Sequence, residues 1–135
     1  MENILITGGL GFIGSSLANA LNERGYSVTI LDNCSEQIHG DNYLESPLFK
    51  ALHNNVKFIK GDVVNIQDWQ KGLKDNSVII HLAAETGTGQ SMYEIQKYVE
   101  VNELGTANLL NILANSPSSG NLCCFGNRDS IFCKP

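Results

Sequence analysis

No stretch of the sequence approaches the ~20 apolar residues that a helix needs to cross a bilayer. The opening MENILITGG has neither a positive leading region nor an apolar core of about seven residues, so no secretion signal is visible. Basic clusters are missing as well. With 9 basic against 14 acidic residues and a net charge of −5, the chain has no block of Lys and Arg to grip phosphates. That argues against nucleic acid or an anionic membrane as partner. Metal-ligand spacing is absent: Cys34, Cys123, Cys124 and Cys133 form no C-x-x-C pair and have no His at ligand distance in sequence. Reduced thiols in a cytoplasmic protein are the expectation. A hydrophobic content of 42% with only 17% charged residues argues against disorder. At 135 residues the chain has room for about one domain.

What is present is a regular alternation. Asn3-Ile4-Leu5-Ile6-Thr7, a short β-branched apolar run stopped by Gly8-Gly9, predicts a buried strand. Phe12, Ile13, Ser16, Leu17, Ala20 and Leu21 then recur at helical spacing as far as Gly25, a C-cap. Residues 26–31 predict a second strand ending at Asp32, residues 56–60 a third closed by Gly61-Asp62, and residues 77–82 a fourth. A short helix is expected at 66–73 with Asn65 as its N-cap, and a long one at 92–113. Residues 33–55 resist reading beyond a short helix near 48–52. Strands alternating with helices indicate βαβ units with right-handed crossovers. The expected fold is α/β, a Rossmann-type doubly wound parallel sheet.

Gly8-Gly9-Leu10-Gly11-Phe12-Ile13-Gly14 reads as GxxGxxG from Gly8 or as GxGxxG from Gly9, and it sits where a strand gives way to an amphipathic helix. Glycine permits the tight turn and leaves room for a pyrophosphate, while the helix N-terminus offers unpaired N–H groups to it. Asp32 ends the second strand, 18 residues past Gly14. A carboxylate there accepts from the adenosine ribose hydroxyls and repels a 2′-phosphate, and Asn33 follows it in place of Arg, so NAD is expected over NADP. Asp62 stands where it could accept from the adenine amino group, and Leu82-Ala83-Ala84 supplies small residues against which a dinucleotide can lie. A purely structural strand-turn-helix, a turn-starting Asp32 and a loop or N-cap Asp62 are the plainer alternatives.

Taken together, ILITGGLGFIGSSLANAL, TILDN, KFIKGDV, IIHLAAETGTGQS and YVEVNELGTANLLNIL resemble the extended short-chain dehydrogenase/reductase superfamily, specifically its NAD-dependent nucleotide-sugar epimerases and dehydratases. LDNCSEQIHGDN and AETGTGQSMYEI are similar to dTDP-L-rhamnose 4-epimerase-like proteins of surface-polysaccharide pathways. The resemblance implies that Gly8, Gly11 and Gly14 line the pyrophosphate, with backbone contacts from Phe12 and Ile13. It implies that Asp32 and Asn33 hold the adenosine ribose, Asp62 and Val63 the adenine, and Leu82, Ala83 and Ala84 the ribose nearer the nicotinamide. Asn102 matches an asparagine that steadies the sheet near the active site. Thr86, Gly87 and Ser91 fall in the loop bordering the sugar, and paired helices over 92–113 would build a homodimer.

The resemblance also implies a proton-transferring tyrosine with a lysine four residues on, placed after the fifth strand. The positive lysine lowers the phenol pKa from about 10. No tyrosine follows Tyr98. One literal Y-x-x-x-K exists, Tyr93 with Lys97, and its spacing puts both on one helical face. It precedes Asn102, in the wrong element, so no catalytic residue is assigned. Residues 116–135 read as an atypical tail in which a family segment is only echoed. The expectation is an incomplete NAD-binding domain over 1–115, a C-terminally truncated sheet with its frame disrupted near 116, no substrate domain, and a nucleotide-sugar epimerase fragment inactive alone. The alternatives are an NAD-binding or sensor module without catalysis, or a fragment of a nucleotide-sugar dehydratase or reductase.

Overall fold

In the first strand, β1 (Asn3–Thr7), Ile4 and Ile6 join one apolar cluster and Leu5 another, and all three are buried. That is a strand covered on both faces, as parallel sheets require. The computed structural model, which describes residues 2–116 and 122–123, places β1 at the centre of the sheet. Its neighbours are β2 (Ser27–Asp32) and β4 (Val78–His81), with β3 (Lys57–Lys60) and β5 (Leu122–Cys123) outside them. The order is β3-β2-β1-β4-β5, and every pairing is parallel. Register sets Thr7 opposite Leu31 on one side and opposite His81 on the other. After β3 the chain returns to the far side of β1, and this reversal opens a crevice at the C-terminal ends of β1 and β4.

The helices divide between the two faces. α1 (Phe12–Glu23) brings Leu17, Ala18 and Leu21 onto Ile4, Ile6, Val28, Ile30 and Ile80. On the other face, Trp69 of α4 (Ile66–Leu73) and Leu109 of α7 (Gly105–Ala114) pack on Leu5, Leu31, Val63 and Ile79. Asn65 caps α4, its side chain accepting from the Gln67 N–H at 3.0 Å. Gly25 follows α1 with φ +88°, a C-terminal turn that L side chains avoid. No helix among the described residues is long and apolar enough to cross a membrane.

Phe12 and Ile13, at the start of α1, are 80% and 70% exposed and leave the apolar face to Leu17, Ala18 and Leu21. The helix expected over 92–113 begins three residues later and runs without interruption over 95–114, as α6 (Ile95–Val99), a π-helical stretch (Glu100–Leu104) and α7, preceded by the separate short helix α5 (Thr88–Ser91). Tyr93 therefore lies in a turn before α6 and shares no helix with Lys97. Residues 33–55 are ordered by contacts that leave no periodicity. They form α2 (Glu36–His39), a 3-10 turn (Tyr43–Glu45) and α3 (Pro47–Lys50). The rings of Tyr43, Phe49 and Phe58 meet at 5.4–5.7 Å. Asn19 of α1 donates to the Ala51 carbonyl and accepts from the His53 N–H. Apart from Ser116 and β5, the expected tail lies outside the described residues.

Candidate functional site

The turn between β1 and α1 is built on close backbone approach. Gly8 takes φ +65°, and a Cβ there would stand 2.7 Å from the Ala83 nitrogen. At Gly14 a Cβ would meet the Gly8 carbonyl oxygen at 2.5 Å and the Gly9 Cα at 2.6 Å. Neither position accepts a side chain without moving main chain. The first bond of α1 runs from the Ser15 N–H to the Gly11 carbonyl at 2.9 Å. The N–H groups of the preceding first turn are thus left by the helix for a ligand or solvent.

Asp32 closes the turn from the side. Its Oδ2 accepts from the Leu10 N–H at 3.0 Å and its Oδ1 from the Cys34 N–H at 2.8 Å, and the residue is buried. The carboxylate is therefore oriented before any ligand arrives, and each oxygen keeps a further lone pair for a hydroxyl donor. Cys34 sits just behind, at φ +57°. Burial foremost, and then the Asp32 charge, pushes its thiol up to about 11 despite the opposing pull of Lys60. It is an inert thiol packed under the site.

A cleft of about 780 Å³ runs along the C-terminal ends of the strands. Gly8, Gly11, Phe12, Ile13 and Gly14 line it from the glycine turn, Asp32 and Asn33 from the end of β2, and Asp62 and Val63 from the loop after β3. Leu82, Ala83, Ala84 and Thr86 line it from the loop after β4. Gly87, Ser91 and Asn102 do not. The Gly87 carbonyl accepts from the Tyr98 hydroxyl at 3.1 Å, and Ser91 closes α5. Asn102 acts from behind the wall: its Oδ1 accepts from the Glu85 N–H at 2.8 Å and its Nδ2 donates to the Glu85 carbonyl at 3.1 Å. Lys97 lies 3.6 Å from the Glu85 carboxylate, and Tyr93 is 88% exposed.

Several contributors were not legible as site residues. Ser35, Gln37, Ile38 and Glu85 also line the cleft. The far end is fixed from below, where Trp69 Nε1 donates to the Val63 carbonyl at 2.7 Å and Asn108 Nδ2 to the carbonyls of Val63 and Val64. Asp62 is held by its own N–H, which donates to Asp68 Oδ2 at 3.0 Å, while its Oδ1 accepts from the Val64 N–H. The Lys71 hydrogen bond, with that of the Asp62 N–H, lowers the Asp68 carboxyl below its ordinary range. A polar residue inside an amphipathic helix, such as Asn108, carries no local sign that it reaches across to a loop. A glycine cradle that any Cβ would fill, an oriented acid and an elongated cleft fit a dinucleotide.

Comparison with known proteins gives the same picture. Residues 5–124 match the family profile described as GDP-mannose 4,6 dehydratase. A dTDP-L-rhamnose 4-epimerase of Burkholderia thailandensis is 40% identical over 110 residues, which are 80% of this chain and 29% of that protein. The NAD complex of UDP-glucose 4-epimerase from Thermus thermophilus superposes with a TM-score of 0.66 at 29% identity, covering 81% of this chain and 32% of that one. The NAD complex of dTDP-glucose 4,6-dehydratase from Bacillus anthracis gives a TM-score of 0.67 at 25% identity, covering 92% and 37%. The chain thus spans about a third of the length of these relatives.

Proposed function

The chain belongs to the GDP-mannose 4,6 dehydratase family, within the short-chain dehydrogenase/reductase superfamily, and from that membership we propose that it is the cofactor-binding portion of an NAD-dependent nucleotide-sugar epimerase. The observation that carries the reading is the junction of glycine turn and acid, where the Leu10 N–H and the Cys34 N–H aim the Asp32 carboxylate into the cleft. In this reading the first turn of α1 holds the pyrophosphate, with Gly8, Gly11 and Gly14 giving it room. Asp32 and Asn33 hold the adenosine ribose, and Asp62 and Val63 the adenine. Leu82, Ala83 and Ala84 border the second ribose, with Thr86 toward the sugar. NAD supplies an acceptor and donor of hydride, which permits inversion at sugar C4 through a transient ketone.

Proton transfer is the part this chain does not provide. Tyr93 stands exposed in a turn, Lys97 is engaged with Glu85, and the Tyr98 hydroxyl donates to Gly87. We place the body of the domain at 1–115, with 116–135 as a tail from which β5 joins the sheet beside β4. The chain resides in the cytoplasm, binds NAD and does not epimerise alone. A homodimer would form through the surface over 92–113, where Met92, Ile95 and Val99 are exposed. The same tyrosine geometry favours the second reading, an NAD-binding module without catalysis. Thermal unfolding with and without NAD, beside an epimerase assay with dTDP-L-rhamnose, separates these ideas. Stabilisation by NAD without turnover is expected. A folded chain that NAD leaves unchanged would remove both readings, and turnover would overturn the claim of inactivity.

A further inference from the structure

Thr7 and His81, both buried, and the half-buried Thr106 form a polar chain that none of the cofactor contacts above requires. Thr7 ends β1 and His81 ends β4, as register partners. Thr7 Oγ1 lies 2.6 Å from His81 Nδ1 and also accepts from the Ala83 N–H at 3.3 Å. His81 Nε2 lies 3.1 Å from Thr106 Oγ1, which donates to the Asn102 carbonyl at 3.0 Å. Asn102 in turn clamps both backbone groups of Glu85. The two ends of this chain grip the cleft wall at Ala83 and Glu85.

Proton bookkeeping assigns the direction. The Thr7 hydroxyl accepts from Ala83, so its own hydrogen is free to go to Nδ1. The Thr106 hydroxyl gives its hydrogen to Asn102, so it accepts from Nε2. One tautomer, neutral imidazole with hydrogen on Nε2, satisfies every group once. We infer that His81 is a positioning residue, a neutral Nε2–H relay that couples the threonine ends of β1 and α7 and thereby holds the wall from Ala83 to Glu85 in the shape the dinucleotide meets. Burial agrees with this, pushing the imidazole down to about 4 and so keeping it neutral near pH 7. Its ring also packs on Trp69, with centroids 5.3 Å apart, which ties the relay to the element under the adenine end.

The NAD arm of the test rests on the proposed function, whereas the amide-exchange arm does not. Imidazole nitrogen NMR of the wild-type chain should show hydrogen on Nε2; hydrogen on Nδ1 overturns the relay. In Thr106→Val the Ala83 amide, which Thr106 does not touch, should exchange roughly tenfold faster, and Thr106→Ser should restore it. Unchanged Ala83 exchange in T106V would show that the two ends are independent and end the proposal. His81→Phe keeps the ring and removes both bonds, so Ala83 and Glu85 should both exchange faster and NAD should bind roughly tenfold more weakly. A folded H81F with wild-type exchange at both amides contradicts the relay. If H81F does not fold, the T106V and T106S pair with the tautomer decides. Should wild-type protein not bind NAD, the proposed function falls while the exchange result still judges His81.

Discussion

A buried histidine that folds neutral gives the protein a pH dependence with a definite sign. His81 has an ordinary value of 6.5 in the unfolded chain and about 4 when folded, because burial disfavours its charged form. The unfolded state thus binds more protons between these values. The stabilisation is complete above pH 6.5 and is lost as pH falls toward 4, by about 2–3 kcal/mol. Asp68, lowered below 3.8, loses its contribution only under more acid conditions. Urea unfolding at pH 7 and pH 4.5 should show the loss, and H81F should flatten it; an equal slope in H81F would refute the assignment. Asp32 gives a second expectation. Asp32→Asn removes a charge and puts an N–H₂ where a backbone N–H now donates. NAD affinity should fall roughly tenfold or more, and the preference over NADP should shrink, as titration of both dinucleotides would read. Gly14→Ala tests the turn itself. Its Cβ would meet the Gly8 oxygen at 2.5 Å, so stability should fall by about 2–3 kcal/mol in denaturant melts.

Among the elements, α4 shows how far local rules reach. Asn65 is legible as an N-cap because the cap is a contact between near neighbours, and the structure bears it out. Asn65→Ala should cost about 1 kcal/mol, read as a lower midpoint in urea at unchanged slope. β1, β2 and β4 were legible for a related reason: burial on both faces writes nearly continuous apolar runs, and only their ends move by a residue. The segment at 33–55 was not legible, because Asn19 and Phe58 hold it from outside and the ring trio 43, 49 and 58 has no period. The π-helical winding at Glu100–Leu104 was hidden because apolar residues continue across it from Val99 to Leu113. What the π-helical stretch adjusts is rotation along the helix, with Asn102 reaching Glu85 and Gly105 packing so closely on Val63 that a Cβ would lie 2.7 Å from its Cγ2. Phe12 and Ile13 follow the apolar spacing of α1, yet they stand exposed and line the cleft, where the resemblance had put them.

At the scale of the molecule, one reversal of strand order gathers the ends of β1, β2, β3 and β4 around a single cleft. The glycine turn and Asp32 lie close in sequence, so their pairing could be read from the chain. The supports at Trp69, His81, Thr106 and Asn108 come from α4, β4 and α7 and become a site only when the sheet closes. The fully buried Trp69 is the chain's one tryptophan, so its emission reports this closure in every unfolding measurement suggested above. Calorimetric titration of NAD into the folded 135-residue chain tests the central claim most directly. Saturable binding at one site per chain, weaker for NADP and weakened by D32N, is the predicted result. A cooperatively folded chain with buried Trp69 emission and no heat of binding would contradict it.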